Sequence, residues 1–195
     1  ATAASGADLG DLFAYTIATP VTVGRGQSAM APIVSARLDC RKDLLYNGSK
    51  LAGHPVATLR MRNSTGLTLE RGPATVIDNG QYAGEAVLPF TAAEGEITAH
   101  YAVELAVKVQ EESQASREIQ GLRISGQYLL IEEWDVRTRR YQLNNSGPKA
   151  STVLVEHPRS AQYEMFDTPA VVEQTAGHLR FAVPAPARGE ASLLV

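Results

Sequence analysis

Apolar and polar residues alternate along most of this 195-residue chain. The clearest run extends from Ile97 to Val109, where every second residue is apolar and most of the residues between are polar. Residues 30–40 show the same pattern, and Leu38 and Cys40 are the last two apolar residues of this run. Successive side chains of a strand point to opposite faces of a sheet, so this period of two predicts half-buried β-strands.

Shorter segments of the same kind predict further strands. We place them at residues 12–17, 21–23, 56–62, 74–77, 82–88, 120–134, 136–144, 152–157, 178–183 and 191–195. Glycine-containing turn sequences separate several of these segments. Asn79-Gly80 in particular predicts a two-residue hairpin turn that sets Ile77 opposite Tyr82. No segment keeps the 3.6-residue period of an amphipathic helix.

Many short strands joined by regular turns predict an all-β protein. We expect an antiparallel β-sandwich architecture with two immunoglobulin-like lobes in tandem. The polar segment 112–117 would link a first lobe at residues 11–111 to a second lobe at residues 118–195. Residues 1–10 would form a flexible lead-in, and this beginning predicts that the chain is a piece of a longer protein.

Two asparagine-containing segments, residues 62–78 and 143–158, resemble each other. Each contains the end of a strand, an asparagine, a polar turn and then a strand with Thr-Val. The similarity reflects either two lobes built alike or the same turn chemistry used twice. We favour turn chemistry, because β-rich chains reuse the same turn residues.

Charge and hydropathy narrow the kinds of partner. The net charge is −3 and the charged residues are scattered, whereas nucleic acids and anionic membranes usually bind a basic stripe. No apolar run reaches the ~20 residues of a membrane helix. We therefore expect neither nucleic-acid binding nor membrane insertion. The partners that we consider are another protein, the rest of a longer chain and a second copy. The single cysteine fits the cytoplasm better than the cell envelope.

The glycine-rich stretch at residues 62–86 invites comparison with a phosphate-binding loop. Such a loop needs Gly-x-x-x-x-Gly-Lys-Ser/Thr, and no Lys-Ser/Thr follows Gly72. The Gly-x-Ser-x-Gly sequence of a hydrolase nucleophile is absent from the chain. The glycines of this stretch are therefore interpreted as turn residues.

The reactive side chains form no catalytic or metal-binding pattern in the sequence. None of the four histidines has a second histidine or cysteine at metal-ligand spacing, so we predict no metal and no cofactor. Cys40 belongs to the inward set of residues 30–40, which predicts a buried, unreactive thiol. We therefore expect no enzymatic activity.

Four residues are candidates for a ligand-binding surface. Trp134 and Tyr141 follow a long apolar segment and would form an aromatic platform for a sugar, with core packing as the competing interpretation. Arg60 and Arg62 would bind an acidic ligand, with surface ion pairing as the competing interpretation. Three asparagines head Asn-x-Ser/Thr sequons, and we interpret them as strand-end and turn residues: Asn47, Asn63 and Asn144.

The order of these segments resembles a known family. HPVATLRMRNSTGLTLERGPATVIDNGQYAGEAVLPF followed by GEITAHYAVELAVKV is similar to the β-rich C-terminal region of bacterial mucoidy-inhibitor-A-like proteins, a domain of unknown function. The similarity continues through YQLNNSGPKASTVLVEHPR and HLRFAVPAPARGEASLLV. This resemblance implies a β-sandwich from a bacterium and a longer parent chain. It implies no catalytic residue, cofactor or ligand.

These observations predict a non-catalytic structural or protein-interaction module of a larger bacterial protein. The alternative is a module that binds carbohydrate or a cell-envelope polymer, because of Trp134 and the tyrosines. A hydrolase is the third interpretation, and it would require His100 or His157 to lie in a cleft beside a carboxylate.

Overall fold

The computed structural model describes residues 4–8, 13–17, 20–29 and 34–195. In this part of the chain the structure contains strands and no helix, which confirms the predicted all-β class. The strands are β1 (Ala4–Asp8), β2 (Phe13–Ile17), β3 (Cys40–Tyr46), β4 (Val56–Arg62), β5 (Gly72–Asp78), β6 (Gln81–Leu88), β7 (Glu96–Val103), β8 (Val107–Ser125), β9 (Tyr128–Asn145), β10 (Ser151–Pro158), β11 (Glu173–Gln174), β12 (His178–Ala185) and β13 (Gly189–Leu194).

The chain divides into two compact units, and each unit is built from two separate segments. Unit 1 comprises Ala1–Lys42 and Thr58–Ala102, and unit 2 comprises Asp43–Ala57 and Val103–Val195. The predicted linker at residues 112–117 is wrong, because these residues lie inside β8. They are exposed throughout, so no alternation of apolar and polar residues marks them as a strand.

In unit 1, β1 pairs with β2 and β5 pairs with β6, while β4 and β7 are neighbours in one sheet. Ala86, Ile97 and Ala99 form the centre of its core. The predicted hairpin is confirmed: Asn79 and Gly80 have φ of 50° and 78°, and Ile77 lies opposite Tyr82. Both central residues of a type I′ turn need positive φ, which Asn-Gly supplies.

Several predicted strand positions in the first forty residues are wrong. Residues 4–8 form β1, so they are not a flexible lead-in, whereas residues 1–3 and 9–10 lie outside the described part of the chain. Residues 21–23 and 34–39 form no strand, and residues 30–33 lie outside the described part. Cys40 is consequently exposed rather than buried, since the register that would have turned it inward does not exist there.

Two other predicted strands are interrupted by turns. Residues 97–109 divide between β7 and β8, with a turn at Leu105-Ala106. Glu104 stabilises this turn, because its Oε1 accepts a hydrogen bond of 3.0 Å from the backbone nitrogen of Ala106. Residues 120–134 contain the turn at Gly126-Gln127, so they belong to two antiparallel strands and not to one.

In unit 2 two sheets share one core. One sheet has the strand order β13-β9-β8, and in the other β11, β12, β10 and β3 follow one another. Strands β10 and β12 are antiparallel, while β10 and the end of β3 are parallel. The core takes side chains from both sheets: Tyr46, Val107, Val109, Tyr141, Leu143, Val153, Val155, Leu179, Phe181, Val183, Ala185 and Leu193.

The two similar asparagine segments have the same hydrogen bonds. Asn63 follows β4, its Oδ1 accepts hydrogen bonds from Thr65, and its Nδ2 donates to the carbonyl oxygen of Leu67 at 2.8 Å. Asn145 ends β9, its Oδ1 accepts from the nitrogen of Gly147, and its Nδ2 donates to the carbonyl oxygen of Lys149 at 2.9 Å. In each unit, therefore, a buried asparagine closes a loop through partners two and four residues ahead.

Candidate interaction surface

Strands β8 and β9 form a hairpin that is much longer than its neighbours. Near its base, Arg140 to Asn145 of β9 pair with β13. From Ser113 to Thr138, described strand pairing is confined to β8 and β9 themselves. We call residues 113–138 the arm. Thirteen extended residues on the β8 side correspond to roughly 40 Å of strand. The arm is therefore a two-stranded ribbon that continues beyond the three-stranded sheet.

One face of the arm continues the core-facing side of the hairpin. At the base this side carries Val109 and Leu143, which lie opposite each other and are buried. Alternation along β9 places Ile131 on the same side, and a bulge at Gln120 in β8 keeps Leu122 opposite Ile131. The residues of this face near the turn, which we call the tip face, are all aliphatic: Ile119, Leu122, Ile124, Leu129 and Ile131.

The side chains of the tip face are exposed. Their exposed fractions are 60% for Ile119, 64% for Leu122, 79% for Ile124, 58% for Leu129 and 48% for Ile131. Single exposed apolar residues are common on protein surfaces, but a contiguous group of them marks a contact surface. The tip face is such a group, because its five members lie on neighbouring positions of one two-stranded ribbon.

The lower arm contacts the loop between β10 and β11. Tyr163 donates a hydrogen bond from its hydroxyl to Oδ2 of Asp135 at 3.0 Å, and the guanidinium carbon of Arg137 lies 4.7 Å from the Tyr163 ring centroid. Phe166 lies beside Trp134, with the ring centroids 6.1 Å apart. These contacts support the arm up to Trp134, and the tip face lies beyond them.

Trp134 and Tyr141 do not form a shared aromatic platform. They are seven residues apart on β9 and therefore point to opposite faces. Trp134 is 54% exposed, whereas Tyr141 is 1% exposed and offers no surface to a ligand. The hydroxyl of Tyr141 lies 3.0 Å from Nδ1 of His157 inside the core of unit 2.

The two arginine candidates belong to unit 1. Arg62 is exposed and its Nε lies 3.0 Å from Oε2 of Glu94. Arg60, two residues earlier on β4, is half-buried and already has an interaction partner. Surface ion pairing, the competing interpretation, describes Arg62.

A row of polar groups runs along one side of the unit 2 core. The hydroxyl of Tyr46 donates a hydrogen bond to Oε1 of Glu111 at 2.9 Å, and Nη1 of Arg139 lies 3.8 Å from Oε2 of the same carboxylate. Burial raises the pKa of Tyr46, and the hydrogen bond to Glu111 raises it further. Burial lowers the pKa of His157 to about 4, and the positive charge of Arg139 contributes. Near neutral pH both groups are therefore uncharged.

A second polar cluster joins β10, β11 and β12 to Asn47, which follows β3. Glu156 is buried and accepts hydrogen bonds from Asn47 at 2.8 Å and from two nitrogens of Arg180 at 2.7 and 3.0 Å. Burial alone would raise the pKa of Glu156, but the hydrogen bonds from Asn47 and Arg180 and the charge of Lys50 outweigh it and lower the pKa. Arg180 also bonds Glu173 at 2.7 Å. These mutual hydrogen bonds connect the strands of the sheet.

Unit 2 has a shallow groove of about 780 Å³ on its surface. Lys108, Gln110, Gln142 and Asn144 line it from β8 and β9, and Glu190 lines it from β13. These side chains lie on the outer face of the sheet, opposite the core. Amides and single charges of this kind bind polar groups.

The described part of the chain shows neither a metal centre nor a membrane helix. No group of three or more His, Cys, Asp or Glu residues there is arranged to hold a metal ion. No helix in that part of the chain is long and apolar enough to cross a membrane.

Comparison with known proteins returned no relative. No family model matches the chain. No curated protein and no solved structure matches it. The resemblance to mucoidy-inhibitor-A-like proteins therefore stays a prediction. What the structure establishes is an all-β chain whose most distinctive exposed surface is the tip face of the arm.

The tip face is also the feature that sequence reasoning missed. The predicted single strand at residues 120–134 contains Gly126 near its middle, between two aliphatic runs. A glycine between Ser125 and Gln127, flanked by β-rich segments, is a hairpin signal. With the turn placed there, alternation alone would have put Leu122, Ile124 and Leu129 on one face.

Proposed function

We propose that this chain is a non-catalytic protein-interaction module whose contact element is the arm. One observation carries the proposal: five exposed aliphatic side chains form one face of a ribbon that reaches beyond its own sheet. An isolated two-stranded hairpin is marginally stable in water, and a partner on its apolar face supplies the missing burial. The resemblance adds that the module belongs to a larger bacterial protein with sandwich-like, immunoglobulin-like lobes.

The arm's charges favour a protein partner. Residues 113–138 contain three arginines and four carboxylates, so the arm has nearly balanced charge. Anionic lipid surfaces and nucleic acids attract clusters of lysine and arginine. A partner with an apolar patch of its own matches the tip face better, because burial of apolar area is the main source of affinity there.

Photo-crosslinking in the bacterium of origin tests the proposal. A photoreactive amino acid replaces Leu129 of the tip face or, as the matched control, Val87 in β6 of unit 1, which is also exposed. We expect irradiation to give a discrete protein adduct from position 129 and none from position 87. The proposal is wrong if position 129 yields no protein adduct, or if the purified chain turns over a hydrolase substrate above a denatured control.

Binding of a carbohydrate or cell-envelope polymer is the second candidate. The exposed Trp134 favours it, since an accessible indole can stack on a sugar ring. A glycan array screened with the chain and with Trp134→Ala distinguishes the two functions. Binding that is lost in the variant would put this candidate first, and an absence of binding would remove it.

A further inference from the structure

We propose that the tip face binds the tip face of a second copy of this chain, with the two arms antiparallel. The inference rests on the proposed function and names its partner. Two properties of the tip face identify the partner: the apolar area that it offers and the charges that surround it.

The exposed area of the tip face matches what a small dimer interface needs. At their exposures, the five aliphatic side chains offer roughly 100 Å² each, or on the order of 500 Å² per copy. Two such faces packed together bury about 1,000 Å², the size at which a specific interface begins. The stems of the flanking arginines and carboxylates add to this area. A second copy therefore supplies enough apolar surface by itself.

The charges next to the tip face are compatible with self-association. Arg117 lies opposite Asp135 on the same face, and Ile119 lies opposite Glu133. Nη1 of Arg117 is 3.8 Å from Oε2 of Glu133. Arg137 follows on this face, so two positive charges accompany two negative ones. Two identical faces with balanced charge meet without net repulsion, whereas a face of one sign would exclude its own copy.

The core of unit 2 decides the orientation of the two arms. Toward the base, the face that carries the tip residues is already covered, because Val109, Tyr141 and Leu143 pack there against β10 and β12. Two arms pointing the same way would bring these covered parts into collision. An antiparallel pair avoids the collision, and it places Leu122, in the middle of the tip face, close to the two-fold axis.

Sedimentation velocity of the purified full chain across a range of concentrations tests the dimer. We expect a reversible monomer–dimer equilibrium, with twice the 20.9 kDa mass of one chain at high concentration. Leu122→Asp and Ile124→Asp should each raise the dimer dissociation constant at least tenfold. Ile77→Asp is the matched control, since Ile77 is 66% exposed in the hairpin of unit 1, and its dissociation constant should equal that of the parent.

A disulfide tests the orientation. In a Cys40→Ser background, Leu122→Cys should form a disulfide-linked dimer on mild oxidation, because the two-fold axis brings the two sulfurs together. Ser113→Cys, on the same face but at the foot of the arm, should stay unlinked. Linkage of Ser113→Cys as readily as Leu122→Cys would show parallel arms and overturn the proposal.

Three other results would also overturn it. These are a monomer at every concentration, a dimer that persists in both aspartate variants, and a monomer that cosediments with neutral phosphatidylcholine vesicles through the tip. Circular dichroism must show that each variant is folded, and Ile124, the most exposed tip residue, is the variant least dependent on packing. A monomer whose position 129 still crosslinks to a different protein contradicts only the self-association, whereas an absence of any adduct contradicts the proposed function.

Discussion

At the scale of single residues, His157 couples the stability of unit 2 to pH. Its ring lies between those of Tyr141 and Phe181, with centroid distances of 6.1 and 6.5 Å. Burial lowers its pKa from 6.5 to about 4, so the folded protein holds the ring neutral. The unfolded chain binds a proton near pH 6.5, and between these two values unfolding takes up a proton.

The stability should therefore fall as the pH decreases from about 6.5 to about 4. His157 accounts for a loss of up to about 3 kcal/mol across this window. Urea unfolding at pH 7.0, 5.5 and 4.5 measures it, and His157→Phe should flatten the dependence in this range. Glu156 acts at lower pH, because its pKa is lowered and its contribution is lost only as the carboxylate is protonated. An unchanged slope in His157→Phe would contradict this role of His157.

At the scale of elements, Gly84 allows the β5–β6 hairpin to approach β7. Its φ is 150°, and a Cβ built at this position would collide with the backbone carbonyl oxygen of Tyr101. Val76 lies opposite Gly84 and Ile77 lies opposite Tyr82, so the extra residue of the bulge is Ala83. A bulge bends its strand, and here the bend occurs where two backbones come closest.

Three alanine substitutions in this hairpin should have graded effects. Gly72→Ala meets open space without a positive φ and should leave the stability unchanged or raise it by about 0.5 kcal/mol. Gly80→Ala also meets open space but must adopt φ near 78°, which costs about 1–2 kcal/mol. Gly84→Ala should cost the most, above 2 kcal/mol, because the collision is with backbone. Thermal unfolding of the three variants measures this order, and equal melting temperatures would refute it.

Local chemistry explains which elements could be predicted. Asn79-Gly80 specifies its turn through two adjacent residues, so the hairpin followed from the sequence. The predicted burial of Cys40 required a strand at residues 34–39, which the structure does not contain. Alternation alone does not create a strand without a neighbouring strand to accept its hydrogen bonds. Residues 112–117 form part of a strand that has no alternating pattern, because a ribbon exposed on both faces needs no apolar residue at every second position. The hydrophobic pattern therefore could not predict this strand. The predicted aromatic platform is wrong at Tyr141, which is buried. The sequence alone does not distinguish an aromatic residue of a core from one on a binding surface.

At the scale of the whole molecule, the two units cannot be separated by one cut. Unit 2 draws Tyr46 from its first segment, and this side chain is 2% exposed within the core. Val107 and Val109 of β8 are also core residues. A piece beginning at residue 118, the start of the predicted second lobe, lacks all three and leaves β9 without its long partner.

The fragment 118–195 should therefore be unfolded when it is produced alone. We expect narrow amide proton dispersion in its NMR spectrum and no cooperative thermal transition, in contrast to the full chain. A fragment with dispersed resonances and a sharp melting transition would show that β9 to β13 form a self-sufficient core.

Two buried asparagines affect which expression hosts suit this protein. Asn47 and Asn63 each head a sequon, yet they are 8% and 0% exposed, and their amide nitrogens are already hydrogen-bonded inside the fold. An oligosaccharyltransferase acts on the growing chain before these side chains are covered. A sugar on either nitrogen would remove its hydrogen bonds and hold the loop open. Glycosylation in a eukaryotic secretory pathway would thus compete with folding. Synthesis in a compartment without glycosylation leaves both amide nitrogens able to form their hydrogen bonds.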